Sequence, residues 1–195
     1  MTDYFALLDQ PRTPWLDPEK LKEIYHQKTL RAHPDAQTSV GSEETDAAFS
    51  TLNEAYQVLQ DPKRRLQHLL SLEGHPPSSS GQTVPKQLHD LFPEVSALTQ
   101  RAQLLLEKFN ATSNALSRSL LKPSILELQG DAKRTREKLQ ALSNASLAEL
   151  QAIDELWAKN RPETFDRLRE LYYAFAYLTR WTAQLEEVEF QLSAH

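Results

Sequence analysis

No stretch of this chain has the run of β-branched residues that a strand requires; its apolar residues recur instead at spacings of three and four. Only four of 195 residues are glycine, and Leu, Ala, Gln, Glu and Lys are abundant, so the expected fold class is all-α. A composition of 39% hydrophobic and 25% charged residues is that of an ordinary globular protein able to bury a core.

The helical pattern fails once over an extended stretch, at His75-Pro76-Pro77-Ser78-Ser79-Ser80-Gly81-Gln82-Thr83, where proline, serine and glycine replace it. This divides the chain into an N-terminal domain at 1–75, a linker at 76–84 and a C-terminal antiparallel helical bundle at 85–195. The last piece is long enough for its own core.

In the N-terminal part, Leu16 to Ala32 carries apolar Leu21, Ile24, Tyr25 and Leu30 among Lys20, Lys22, Lys28 and Arg31, a basic amphipathic helix. Asp17-Pro18-Glu19 supplies its start: an N-cap acceptor, a proline where no donor is needed, and an acid at the positive end of the dipole. Pro34 disfavours helix at His33. After a polar loop at 36–41, a second helix is expected from about Ser42 to Gln60, with Phe49, Leu52, Ala55, Tyr56 and Leu59 on one face. Two such helices form an antiparallel hairpin with His33-Pro34-Asp35 at its tip.

That tripeptide in that setting resembles the J-domain co-chaperones. Asp3-Tyr4-Phe5-Ala6-Leu7-Leu8 is similar to the family's opening helix, and Leu52-Asn53-Glu54-Ala55-Tyr56-Gln57-Val58-Leu59 to its third. Past Asp61-Pro62, the run from Arg65 to Gly74 is similar to co-chaperones of the HscB type, which serve iron-sulfur cluster assembly. The resemblance implies that the chain stimulates the ATPase of a DnaK-type heat-shock chaperone and does no bond chemistry itself. It also implies a chaperone-binding surface of His33, Pro34 and Asp35 with Lys22, Tyr25, His26, Lys28 and Arg31. The cations would meet an acidic partner surface and speed encounter, while Asp35 would pair with a chaperone arginine.

Four helical stretches are expected beyond the linker. They are Leu88 to Asn110; Leu116 to Leu142, interrupted near Pro123; Ser146 to Lys159, opened by a Ser146/Glu149 capping box; and Pro162 to about Leu192. The last has a narrow apolar seam through Phe165, Leu168, Tyr172, Phe175, Leu178, Thr182 and Leu185, leaving Tyr173 and Tyr177 as candidates for exposed contacts. Read from Leu168-Arg169-Glu170-Leu171 through Gln184-Leu185-Glu186-Glu187, it resembles the terminal helix of HscB-type proteins. In that family the first C-terminal helix offers a leucine-methionine pair and several glutamates to a cluster scaffold. The counterpart here is a client-binding set of Leu91, Phe92, Glu94 and Val95, with Ser96, Thr99 and Gln103 at positions where acids are expected. Pro93 is expected to break that helix near its start.

Cysteine is absent, which excludes disulfides, thiolate metal sites and a cluster held by the chain's own thiolates. The histidines lack the i, i+4 pairing of a helical metal site, and no serine elbow, phosphate-cradling loop or carboxylate pair suggests an enzyme. No cofactor is expected. The formal charge of −5 is spread evenly, so nucleic acid is not an expected partner. No apolar run reaches a membrane span, and helix is expected from Tyr4 onward, so cytoplasmic residence is the expectation.

Two functions stay open. In one, an HscB-like co-chaperone presents an iron-sulfur cluster scaffold. In the other, a J-protein has a different client, and its C-terminal bundle serves as an interaction or homodimerisation module. The oligomeric state is open as well.

Overall fold

The computed structural model describes residues 1–32, 43–78 and 84–194, with only the backbone described at 31–32 and 43–46. His33, Pro34 and Asp35, the loop at 36–41, Ser42 and the centre of the linker lie outside the described residues, as does the side chain of Arg31. Among the described residues all regular structure is helical. The helices are α1 (Tyr4–Leu7), α2 (Pro18–Ala32), α3 (Glu43–Gln60), α4 (Pro62–Leu72), α5 (Leu91–Ala111), α6 (Ala115–Lys159) and α7 (Phe165–Ser193), with 3-10 turns at Lys86–Leu88 and Arg161–Thr164.

The chain forms two compact units, Met1–Gly81 with Leu147–Tyr172, and Gln82–Ser146 with Tyr173–His195. A cut at residues 76–84 assigns all of 85–195 to one bundle; in the structure the end of α6 and the start of α7 belong with the N-terminal helices. Specific contacts account for this. Within that unit Phe165 stacks on His75 with ring centroids 3.9 Å apart, and Arg161 pairs with Glu73 at 3.1 Å.

In the first unit, local chemistry sets the helix ends. The Asp3 carboxylate accepts the N–H groups of Phe5 and Ala6, Asp17 does the same for Glu19 and Lys20, and Asp61 caps α4 ahead of Pro62. The chain leaves α4 through Gly74 at φ +80°, a left-handed conformation that suits glycine, and the His75 N–H closes on the Leu70 carbonyl. Phe5, Leu8, Leu21, Leu59, Leu66 and Leu69 are fully buried there, each stabilising by about 1.5–3 kcal/mol through removal of apolar surface from water.

In the second unit, α5, the first part of α6 and the last part of α7 share one apolar core. α6 is a single helix of 45 residues, where two were expected. Ser146 is buried within it and caps nothing, and Glu149 pairs with Arg167. Pro123 is accommodated inside the same helix. The buried seam of α7 runs through Ala174, Leu178, Trp181, Leu185, Val188 and Leu192, a strict alternation of four and three. Thr182 and the two tyrosines Tyr173 and Tyr177 are half-buried at its margins.

Candidate functional site

The outer face of α2 presents Lys22 and His26, one turn apart, followed by Leu30, whose side chain is 72% exposed. Together with Lys20, Glu23 and Gln27 they line a shallow depression. Lys22 has no ion-pair partner among the described residues. The stripe leads toward the C-terminal end of α2, next in sequence to His33-Pro34-Asp35.

Two expected members of this surface have partners inside the unit. The Lys28 ammonium lies 2.8 Å from the Asp9 carboxylate. Its position explains this: Lys28 follows buried Leu21 by seven residues, two turns, and so shares the inner face of the helix. Tyr25 stacks on Tyr56 of α3 at 4.1 Å, and its hydroxyl donates to Asn53 Oδ1. Both ties fix α2 against its neighbours and leave Lys22 and His26 exposed on the outer face.

Sequence reasoning missed two buried groups that hold this unit together. The Nε2 of His68 accepts the Tyr4 N–H at 3.1 Å, with its ring stacked on Tyr4 and Phe5. Burial pushes its pKa down, opposed by Asp3 and aided by Arg12. Arg65, 4% exposed, donates to the carbonyls of Pro14 and Leu59 at 2.9 and 2.6 Å. Burial lowers its pKa to about 10 against the opposing charges of Asp61 and Asp154, so it stays charged at neutral pH. Pairing of a side chain with a backbone group 51 or 64 residues away leaves no periodic signal in a sequence.

On α5 the expected client-binding set divides. Leu91 and Val95 are buried in the core of the second unit. Glu94 receives hydrogen bonds from the Lys138 ammonium at 2.7 and 3.0 Å and from the Thr135 hydroxyl at 2.8 Å. The Lys138 bond, with that of Thr135, holds its carboxyl below the usual range against burial. Phe92 alone is open, 52% exposed, its ring 6.2 Å from that of Trp181. Pro93 does not break α5, because it lies in the first turn, where its missing N–H has no intrahelical acceptor.

Phe92 stands at one end of a cleft of about 260 Å³ between α5 and α7, with Ser96, Thr99 and Gln103 on one wall and Tyr177 and Gln184 on the other. Thr99, Gln103 and Gln184 also line a larger groove of about 970 Å³ that reaches Leu106 and Phe190. Arg180 lines both, while Glu107 and Glu187 lie only on the larger one. The cleft beside Phe92 thus offers an aromatic surface, neutral hydrogen-bonding groups and one cation.

Among the described residues no group of His, Asp and Glu side chains could hold a metal ion, and no helix is long and apolar enough to cross a membrane.

The chain resembles several known proteins. The DnaJ domain family model matches residues 3–68. The co-chaperone protein HscB of Proteus mirabilis is 33% identical over 105 residues, which are 52% of this chain and 58% of that protein, so the match spans somewhat over half of the relative. The structure of chaperone HscB from Vibrio cholerae shares the fold, with a TM-score of 0.59 at 21% identity over 98% of this chain and 99% of the other. The human DnaJ homolog subfamily B member 3 is 31% identical over 109 residues, 56% of this chain and 72% of that protein. With the domain match and a relative covered over most of its own length, the chain belongs to the J-domain family.

Proposed function

We propose that this chain is an HscB-like co-chaperone of the cytoplasm. It stimulates the ATPase of a DnaK-type chaperone through α2 and His33-Pro34-Asp35, and it presents an iron-sulfur cluster scaffold through α5 and α7. The observation that carries the reading is the exposed Lys22–His26–Leu30 stripe, which runs toward the tripeptide in a segment matched by the DnaJ domain model. Lys22 supplies a free charge that steers an acidic surface, and Leu30 supplies apolar area that docking would remove from water.

The same chemistry defines the client side. An exposed aromatic in a cleft of amides and hydroxyls suits a partner that inserts an apolar side chain and makes neutral hydrogen bonds around it. The cleft beside Phe92 has no acid, and Glu94 is engaged by Lys138. This observation favours a second reading, in which the bundle serves a client other than a basic scaffold surface, or a second copy of the chain.

Single-turnover ATP hydrolysis by the organism's DnaK-type chaperones tests both parts. The wild-type chain should accelerate it, Asp35→Asn should abolish the effect, and added cluster scaffold should amplify it. Stimulation indifferent to the scaffold would leave the co-chaperone role with the second reading of the bundle. Absence of stimulation with every chaperone would end the proposal.

A further inference from the structure

The connector between α1 and α2 is held residue by residue from two other helices of the first unit. The indole N–H of Trp157 donates to the Arg12 carbonyl at 2.8 Å. The Thr13 hydroxyl donates to the Asp154 carboxylate. The Pro14 carbonyl accepts from the Arg65 guanidinium at 2.9 Å, and the Trp15 N–H lies 3.5 Å from Asp154 Oδ1. Four consecutive residues are thus fixed, three of them by side chains about 140 positions later in the chain.

The connector is in turn bonded to α2 at both ends. Asp9 pairs with Lys28 on the inner side of the helix, and Asp17 caps its first turn. Between them Leu16 is buried.

Joining two helices does not require this. A short turn would do so, and placing Arg65 and Asp154 around a backbone segment desolvates two ionised groups, which apolar packing would avoid. What such bonds supply is a defined backbone position, since each has a directional requirement that a hydrophobic contact lacks. The backbone so defined leads directly into the helix that carries Lys22, His26 and Leu30.

We infer that Asp154 and Trp157 are positioning residues for the docking face of α2, fixing its orientation through Arg12, Thr13 and Trp15. The inference rests on the reading of α2 as the chaperone-docking face. Trp157 is the sharper of the two, because its indole N–H can be removed while an aromatic ring still faces Phe165.

The test titrates a DnaK-type chaperone in single-turnover ATPase with the full chain, comparing wild type, Trp157→Phe, Asp154→Asn, Thr13→Val and Lys22→Ala, each at a temperature well below its melting transition. Trp157→Phe should raise the half-saturating concentration about three- to ten-fold, as loss of one oriented hydrogen bond implies, with the maximal rate unchanged. Thr13→Val should do the same by removing the bond to Asp154, and amide resonances of α2 around Lys22 and His26 should shift in both variants. If Asp154→Asn proves poorly folded, the Trp157 and Thr13 variants decide the matter. Half-saturation within two-fold of wild type for these two, while Lys22→Ala weakens docking, would overturn the positioning role and leave the docking face standing. No weakening by Lys22→Ala would overturn the docking reading itself, and the positioning role with it.

Discussion

Lys22 on α2 and Glu94 on α5 stand at positions where a J-protein of this architecture is expected to offer charge to a partner, yet their situations differ. Lys22 is exposed and has no ion-pair partner among the described residues. Glu94 already accepts three hydrogen bonds from α6. A partner can use the first charge at little cost, whereas the second must be released from Lys138 and Thr135 before it can bond elsewhere. The first unit therefore presents charge on α2, and the second presents shape and an aromatic ring.

The largest effect that would sharpen this contrast lies within α5 itself. Leu91→Ala empties a buried site and should destabilise the chain by about 2–5 kcal/mol in urea denaturation. Phe92→Ala, one residue on, should cost less than about 1 kcal/mol, because half of the ring is already in water. If both cost the same, Phe92 is a core residue and the open cleft beside it loses its significance.

Next in size is the pair of lysines on α2. Lys22→Ala should leave stability within about 0.5 kcal/mol and weaken chaperone docking several-fold, with the difference shrinking as salt is raised. Lys28→Ala should cost up to about 1 kcal/mol of stability through loss of the Asp9 pair, with the smaller effect on the salt dependence of docking. Equal salt dependence in the two variants would erase the distinction between a presented charge and one used internally.

The smallest effect is a pH dependence confined to the first unit. His68 has its pKa lowered in the fold from an ordinary value of 6.5, so below that value the unfolded chain takes up a proton that the folded chain resists. The stability from its neutral, hydrogen-bonded ring is complete above 6.5 and declines as the pH falls through that value toward the folded pKa. His68→Phe should lower stability at about pH 8 and flatten the decline between about pH 7 and pH 5. An unchanged slope would show that the folded unit accommodates the imidazolium.

Much of this was legible from local signals. Asp17-Pro18-Glu19 announced the start of α2, and the Leu21 periodicity its inner face, which also contained the information that Lys28 points inward. Leu30, grouped by spacing with the apolar residues of α2, is instead exposed on its outer face. Where the sequence misled, tertiary contact outweighed local preference. Ser146 and Glu149 have the spacing of a capping box, but the helix runs on through them, with Ser146 buried and Glu149 bound to Arg167. The fate of Glu94 depended on Lys138 and Thr135, more than forty residues away, and that of Arg65 on the carbonyls of Pro14 and Leu59. Neither pairing has a period to detect.

The fastening of Arg12, Thr13 and Trp15 by Asp154 and Trp157 also bears on how the protein is made. The ribosome releases α1 to α4 well before the side chains that secure the α1–α2 connector. At ~5–20 residues per second the intervening ~80 residues take roughly 4–16 s to synthesise. During that interval the nascent N-terminal helices have their own hydrophobic contacts and Arg65 but lack the Asp154 and Trp157 fastenings, and the first unit is completed only when residues 147–172 have been made.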